Sequence, residues 1–238
     1  MCGLGFIARN CLLDEDGTVL NEEMNAVCLA ILILIVSFMP PKALAVDPAL
    51  SDLSGTDSSD WDSTTTTTVY ASADSYMHQG NPTTNYGTAT TMVAGKQTSN
   101  ARRSIVRFDL SSIPISSYID LANLSVYADT ALSPPSTIGV YRVQQSPARD
   151  WTEAGVTWNR YDGTNSWTTA GGDFNSTATS SISISTTLKY YNWTVTYDVK
   201  NFVQTPSTNF GWVLKSSTEP NGKTITFRSR DYTGTSYD

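Results

Sequence analysis

The chain has 238 residues, a formal net charge of −7, 39% hydrophobic residues and three cysteines. From Val69 onward it contains 13 Lys and Arg against 12 Asp and Glu, so this part lacks the basic excess that nucleic-acid binding requires. The thiols are Cys2, Cys11 and Cys28, so the later part has no disulfide and must be stabilised by burial.

Residues 1–45 have the features of a leader that carries an export signal. Ala26 to Met39 is an apolar run of about 14 residues, interrupted by one Ser and shorter than the roughly 20 residues that span a bilayer. Ala43-Leu44-Ala45 has the small-x-small pattern of a signal-peptide cleavage site. Residues 1–25 are acidic where a signal peptide is basic, so we interpret Met24 as the true start. The alternative is an uncleaved anchor.

Residues 46–68 predict a flexible linker. They are rich in Ser, Thr, Asp and Gly, and such a composition buries too little apolar surface to offset the entropy of ordering. We therefore predict a secreted or cell-surface protein without stable membrane insertion after cleavage, whose folded domain covers residues 69–238.

Within that domain the pattern changes to short strands separated by turn residues. In SIVRFDL, for example, Val106, Phe108 and Leu110 share one face because successive side chains of a strand alternate. A short helix, VKNFVQ, is predicted with Asp198 as its N-cap and with Pro206 as its stop. Strands are predicted at VYASADSYM, TMVAG, SIVRFDL, NLSVYADT, TIGVYRVQQ, SISISTT, YYNWTVTYDV, GWVLKSS and TITFRSR.

These elements predict one all-β domain. About nine or ten strands occur with one short helix, with no alternation of strands and helices and with no internal repeat. That arrangement is typical of a single β-sandwich of the jelly-roll type.

Several motifs follow one another in a characteristic order: DSYM, GNPTTNYG, RRSIVRFDLSSIP, ANLSVYADT, DWTEAGVTWN, YDVKNFVQ and NFGWVLK. Together, over about Ala73 to Asp231, they resemble the DNRLRE, or disaggregatase-related, domain, which is grouped with carbohydrate-binding modules. The resemblance implies a β-sandwich module of secreted microbial surface proteins and polysaccharide-degrading enzymes, with acidic polysaccharides such as alginate among the ligands.

The sequence departs from that family at three points. Thr205-Pro206 stands where members usually carry a Trp, and Asp231 stands where they carry a Glu. The resemblance also implies a further Pro-led final strand, which this sequence does not contain.

Aromatic side chains are the first candidates for contacts with sugar rings. Trp167, next to Asn165, Ser166 and two Thr, is the best candidate for an exposed loop aromatic, and Tyr86 and Tyr161 also lie in predicted loops. Three further tryptophans are interpreted as structural anchors of the core: Trp151, Trp158 and Trp193.

The densest basic cluster is formed by Lys96, Arg102 and Arg103. Guanidinium groups bind carboxylates through two parallel hydrogen bonds, so this cluster suits a uronate-containing polysaccharide. Two alternatives are a solvated loop and an Arg that pairs with Asp109 inside the domain. Arg107 and Asp109 are predicted to form an ion pair that covers one sheet face.

Catalysis has little support in the sequence. Asp150 and Glu153 are the only close acidic pair in an aromatic context, as a glycosidase would need, but Glu153 can equally cap the backbone. No cofactor is required by any motif. Asp74, Asp173 and Asp231 are candidate oxygen donors to a calcium ion, although the sequence contains no D-x-D-x-D loop.

Three hypotheses of function follow. The first is a non-catalytic carbohydrate-binding module for an acidic cell-envelope or matrix polysaccharide. The second is a structural or adhesive cell-surface module that binds no glycan, and the third is a fragment of a polysaccharide-degrading enzyme. Mutating Arg102 and Arg103 to Ala tests the first hypothesis.

Overall fold

The computed structural model describes residues 33–39 and 65–234. In these two ranges the chain forms ten strands, one α-helix, α1 (Thr196–Gln204), and a 3₁₀ turn at Pro206–Thr208. The strands are β1 (Ile33–Met39), β2 (Thr65–His78), β3 (Thr91–Gln97), β4 (Asn100–Phe108), β5 (Tyr118–Ser133), β6 (Thr137–Arg142), β7 (Ser180–Ser183), β8 (Tyr190–Thr194), β9 (Trp212–Ser216) and β10 (Lys223–Arg228).

Two long strands, β2 and β5, join the layers of a sandwich. The smaller layer has the order β2, β1, β5, β8, and the larger has the order β10, β3, β4, β9, β6, β7. The second half of β2 pairs with β4, and the second half of β5 pairs with β10. The predicted all-β sandwich of the jelly-roll type is thus confirmed.

The main core lies between the two layers. Val106, Phe108 and Leu110 point into it together, as their alternation predicts. Trp193 is completely buried there, and its indole N–H donates to the carbonyl of Ile138 at 2.9 Å. This hydrogen bond satisfies the only polar atom of the ring inside the core.

Helix α1 packs on the same core and corrects two predictions. The alternation that predicted a strand up to Val199 ends at Thr194, because the buried Val195, Val199, Phe202 and Val203 follow helical spacing instead. The N-cap residue is Val195, without a side-chain cap. Asp198 is buried, where it accepts hydrogen bonds from Trp212 Nε1 at 2.7 Å and Thr179 Oγ1.

A second hydrophobic cluster lies on the outer face of the larger layer. It packs Met77, Ile105 and Val213 of the sheet against tryptophans of residues 143–174, which we call the loop layer. The loop layer has no α-helix or named β-strand, and isolated bridges such as Val143 to Phe174 connect it. The larger sheet is therefore covered on both faces.

At the N-terminal side the structure differs from the predicted domain boundaries. Strand β2 begins at Thr65, inside the predicted linker, since Thr is well suited to strands. Strand β1 lies within the apolar run of the predicted leader, because a short apolar run fits a buried strand as well as an export signal. Residues 1–32, 40–64 and 235–238 lie outside the described ranges, so cleavage after Ala45 stays a prediction. No helix in the described ranges is long and apolar enough to cross a membrane.

Candidate functional site

Three tryptophans anchor the loop layer. Trp151 is completely buried and donates to the carbonyl of Phe210 at 2.8 Å, while Trp158 is 7% exposed. Our expectation that Trp167 is an exposed platform is wrong: the residue is 5% exposed, and its N–H donates to Thr157 O at 3.0 Å. Because its N–H is hydrogen-bonded and its ring is buried in the second hydrophobic cluster, Trp167 offers little surface to a ligand.

An ion pair between Arg149 and Asp173 holds the loop layer together. Arg149 Nε lies 2.5 Å from Asp173 Oδ2, and both side chains are nearly buried. Asp173 also accepts the backbone N–H groups of Thr168 and Thr169 at 2.7 and 2.8 Å. Burial alone would raise the pKa of Asp173, but these hydrogen bonds keep it below its ordinary value. Both carboxylate oxygens are therefore engaged with N–H donors.

The predicted basic cluster of Lys96, Arg102 and Arg103 is divided by the strand geometry. Arg102 and Arg103 are consecutive on β4, so their side chains point to opposite faces of the sheet. Arg103 forms a two-point contact with Glu219, at 2.7 and 3.1 Å, and donates to Gly171 O at 2.9 Å. Its guanidinium is thus occupied by a structural carboxylate. Lys96 lies opposite Ala101 on the adjacent strand.

Gly171 shows how tightly this contact is built. Its backbone has φ of +92°, and a Cβ atom there would lie 2.6 Å from the Trp158 ring and 2.8 Å from Arg103 Nη1. Only glycine satisfies both the conformation and the space.

Arg107 does not pair with Asp109 as predicted. Its Nη1 lies 2.6 Å from Asp150 Oδ1, and its guanidinium packs 5.3 Å from the centre of the Trp151 ring. Asp109 instead accepts the N–H of Ser111 in the following turn at 2.9 Å, and this hydrogen bond lowers its pKa. The carboxylate of Asp109 is thus engaged by the turn after β4 and not by Arg107.

An open cavity of about 730 Å³, which we call the loop cleft, lies where the loop layer meets the loop that follows β2. This volume is within the range of pockets that hold small ligands. Its lining carries amide, hydroxyl and guanidinium groups next to part of the Trp167 surface. Among its lining residues are Asn85, Thr157, Asn159, Arg160, Ser166 and Trp167.

The loop cleft is shaped by local hydrogen bonds. Asp162 accepts the backbone N–H groups of Thr164 and Asn165 at 2.9 and 2.6 Å, which closes a tight turn. Arg160 donates from its backbone to Thr157 Oγ1 at 3.0 Å and from Nη1 to Gly163 O at 2.8 Å. The side chain is thus oriented by the turn while the residue remains exposed.

Arg160 differs from most arginines of residues 65–234. Six of the eight arginines in that range form ion pairs with carboxylates: Arg103, Arg107, Arg142, Arg149, Arg228 and Arg230. Arg102 and Arg160 form none there. Our sequence reasoning missed Arg160, although the turn-rich run NRYDGTN around it could have indicated an exposed guanidinium.

A second surface, the tyrosine–arginine patch, consists of Tyr76, His78, Tyr86 and Arg102. The rings of Tyr76 and Tyr86 stack with centres 4.1 Å apart, and burial together with Tyr86 raises the pKa of Tyr76 to about 12. Burial and the charge of Arg102 lower the pKa of His78. The predicted binding residues Tyr86 and Arg102 therefore share one surface. Tyr161 instead packs against Trp167, with ring centres 5.5 Å apart.

A buried acidic group lies where β2 meets the chain after β10. Asp74 is 1% exposed and accepts the backbone N–H of Arg230 at 2.6 Å. Burial raises its pKa to about 7, and the nearby Glu153 and Asp231 add to that increase. Glu153 lies 3.0 Å from Arg230 Nη1. Within the described ranges no group of three or more His, Cys, Asp or Glu is arranged to hold a metal ion.

Neither member of the acidic pair weighed for catalysis lines either of the two clefts described in residues 65–234. Asp150 is paired with Arg107 and Glu153 with Arg230, and neither residue lines the loop cleft. A second cleft of about 500 Å³, beside α1, is lined mainly by apolar side chains such as Leu110, Ile113 and Phe202, and neither acid lines it. A glycosidase needs two acids that flank the scissile bond, so this pair does not support that chemistry.

Comparison with known proteins gives one family. The sequence profile of carbohydrate-binding module family 96 matches residues 65–237, which is more than half of the chain. The match begins at the first residue of β2. A comparison with curated proteins gives no match. The narrower DNRLRE assignment stays a prediction.

Proposed function

The chain belongs to carbohydrate-binding module family 96, and from that premise we propose that it binds an acidic polysaccharide in the loop cleft, outside the cell and without catalysing a reaction. The observation that carries the proposal is the Arg160 guanidinium, which is exposed at the cleft and has no carboxylate partner in residues 65–234. A uronate carboxylate of the glycan supplies that partner.

The other lining groups suit the rest of a sugar. The exposed Asn159 and Ser166 offer hydrogen bonds to hydroxyl groups, while Trp167, which is 5% exposed, adds little apolar contact. Asn85 contributes less, because its amide nitrogen already donates to Glu153 O and Val156 O at 2.7 and 2.8 Å. Arg160 is thus the group that distinguishes a charged sugar from a neutral one.

The first experiment measures retention of the purified chain on affinity gels that contain alginate, pectin or neutral glucans. We expect retention on the uronate polymers and weaker retention on the glucans. Retention should fall with added salt, because charged contacts are screened. Equal retention on all gels would contradict the charge preference, and a folded protein that binds none of them would contradict the proposal itself. A parallel series with a chelator tests whether retention depends on bound calcium.

Arg160→Ala tests the site directly. A hydrogen bond to a charged group contributes about 1.5–3 kcal/mol, so we expect a loss of roughly tenfold or more in affinity for alginate. Arg160→Lys keeps the charge and loses the two-point geometry, so its affinity should be intermediate. Lys223→Ala removes one exposed positive charge outside the cleft and is the matched control. If Arg160→Ala and Lys223→Ala lowered the affinity for alginate equally, Arg160 would act only through the net charge of the protein.

Export is tested separately. The full chain, including residues 1–45, is expressed in a secreting host, and the protein recovered from the culture medium is sequenced from its N-terminus. We expect Val46 as the first residue. A chain that keeps its leader and stays with the cells would contradict secretion.

One observation favours the structural or adhesive alternative. Tyr70, Tyr118 and Leu121 are 53%, 59% and 43% exposed and lie on β2 and β5, in the smaller layer. Apolar groups exposed on one sheet are typical of protein contacts. If this alternative holds, Tyr118→Ser combined with Leu121→Ser should abolish attachment to cells while alginate retention is unchanged.

A further inference from the structure

The backbone of β1 lies in a slot between β2 and β5. Residues 33–38 pair antiparallel with residues 65–70 of β2, and residues 33–39 pair antiparallel with residues 118–125 of β5. Both edges of β1 are therefore used. Without β1, the facing edges of β2 and β5 would present unpaired backbone groups, which readily accept another strand.

The register of the slot separates two faces. Positions 34 and 36 of β1 lie opposite Leu124 and Ala122 of β5, which are both completely buried. The alternate positions 35 and 37 lie opposite Asn123 and Leu121, of which Leu121 is 43% exposed. The slot therefore requires apolar residues at every second position, and a slip by one residue would reverse the two faces.

Residues 40–64 connect β1 to β2 and lie outside the described ranges, so the contacts that the structure shows for β1 are its backbone pairings with β2 and β5. The same apolar run matches the core of an export signal, so it can either pair with β2 and β5 or be recognised by the export machinery. If cleavage after Ala45 occurs, which rests on the secretion proposed above, β1 leaves with the leader.

We propose that the slot between β2 and β5 is a strand-acceptor site, that β1 is its exchangeable occupant in the uncleaved chain, and that an extended segment of a second polypeptide with apolar residues at alternate positions occupies it afterwards. Such a segment enters antiparallel to both neighbours. Main-chain hydrogen bonds supply affinity, and the buried Leu124 and Ala122 select apolar residues at the two positions opposite them.

The test uses the full chain with a protease site inserted within residues 46–64. The folded protein is cut there, and a labelled peptide of residues 31–41 with terminal lysines is added in excess. We expect the N-terminal fragment to remain bound after cutting and then to exchange for the peptide, as followed by size-exclusion chromatography and fluorescence anisotropy. Precipitation after the fragment leaves, prevented by the peptide, supports the proposal equally.

Two peptide variants make the test specific. Leu34→Asp with Val36→Asp places charges opposite the buried positions and should abolish binding. Ile35→Asp with Ser37→Asp places the same two charges opposite the other face and should change the affinity less than about threefold, since surface substitutions have small effects. Equal binding of both variants would mean that the peptide adsorbs to the protein non-specifically, and would overturn the proposal.

Three further results would overturn it. In the first, the fragment leaves on cutting, the melting temperature is unchanged and no peptide binds. In the second, the fragment stays and never exchanges. In the third, the cut protein precipitates whether or not peptide is present. Alginate retention of the cut protein is measured in the same samples. Loss of retention with intact peptide exchange would contradict the proposed function alone.

Discussion

The buried side of the loop layer and its exposed rim at the loop cleft use arginine in opposite ways. On the buried side, Arg149 of the loop layer is paired with Asp173, and Arg103, which contacts the layer from β4, is paired with Glu219; both pairs are short and largely buried. At the loop cleft, the Arg160 guanidinium donates to the carbonyl of Gly163, pairs with no carboxylate of residues 65–234 and stays exposed. An arginine that stabilises a fold has its carboxylate within the chain, whereas an arginine without one is available to an external anion.

The largest expected effect is a loss of stability when a buried, paired arginine is removed. Arg149→Ala leaves the carboxylate of Asp173 buried without its cation, and removing one partner of a buried ion pair costs about 3–5 kcal/mol. We expect that loss in the free energy of unfolding, measured by urea denaturation. Adding Asp173→Asn should recover part of it, because the uncompensated charge is then absent.

Arg160→Ala is the control for that measurement, since an exposed side chain should change stability by less than about 0.5 kcal/mol. If Arg149→Ala were as stable as Arg160→Ala, the difference between paired and unpaired arginines would have no energetic basis.

A second prediction concerns the buried Asp74, whose pKa is raised to about 7 by burial. Between pH 4 and 7 the folded protein keeps a proton that the unfolded chain has released, so the free energy of unfolding falls as the pH rises and levels off above 7. The contribution is on the order of 4 kcal/mol, since one pKa unit corresponds to 1.36 kcal/mol.

Asp74→Asn should remove this contribution while its amide oxygen still accepts the N–H of Arg230. Urea denaturation at pH 4.5, 6 and 8 measures it as a difference between variant and wild type that grows with pH. A constant difference across the three pH values would mean that Asp74 does not titrate in this window.

The smallest expected effect is a change in alginate retention at the tyrosine–arginine patch. Arg102 forms no ion pair with the residues of 65–234 but donates to Gln97 Oε1 at 2.8 Å. Arg102→Ala should weaken alginate retention by about twofold, on the scale of an exposed charge interaction, and leave stability unchanged. A loss as large as that of Arg160→Ala would extend the binding site from the loop cleft to this patch.

Local patterns predicted the parts of the fold that depend on alternation. The faces of β4 follow from SIVRFDL, and the burial of Trp193 follows from its regular strand. Alternation failed at Val195 to Val199, where apolar spacing of four residues lets a helix replace the strand. It also did not predict that β1 enters the sheet, because pairing between residues 33–39 and 118–125 depends on contacts distant in sequence.

The candidate site was less predictable for the same reason. Which arginines are neutralised depends on partners such as Glu219, which lies 116 positions after Arg103. The sequence showed Arg102 and Arg103 as one cluster, whereas strand geometry separates them and a distant carboxylate occupies one of them. Trp167 looked exposed beside polar neighbours, but its N–H reaches a backbone carbonyl of the same loop.

The course of β2 has a mechanical consequence. The strand runs for 14 residues, or about 45 Å, from Thr65 in the predicted linker to His78. The loop that follows His78 contributes Thr83 and Asn85 to the loop cleft. If the predicted linker is anchored and a polysaccharide is bound in the loop cleft as proposed, a pull between the two is transmitted along the strand axis. Hydrogen bonds between residues 71–78 and 102–108 are then loaded together in shear, so we expect the module to resist detachment under flow better than a hairpin peeled from one end.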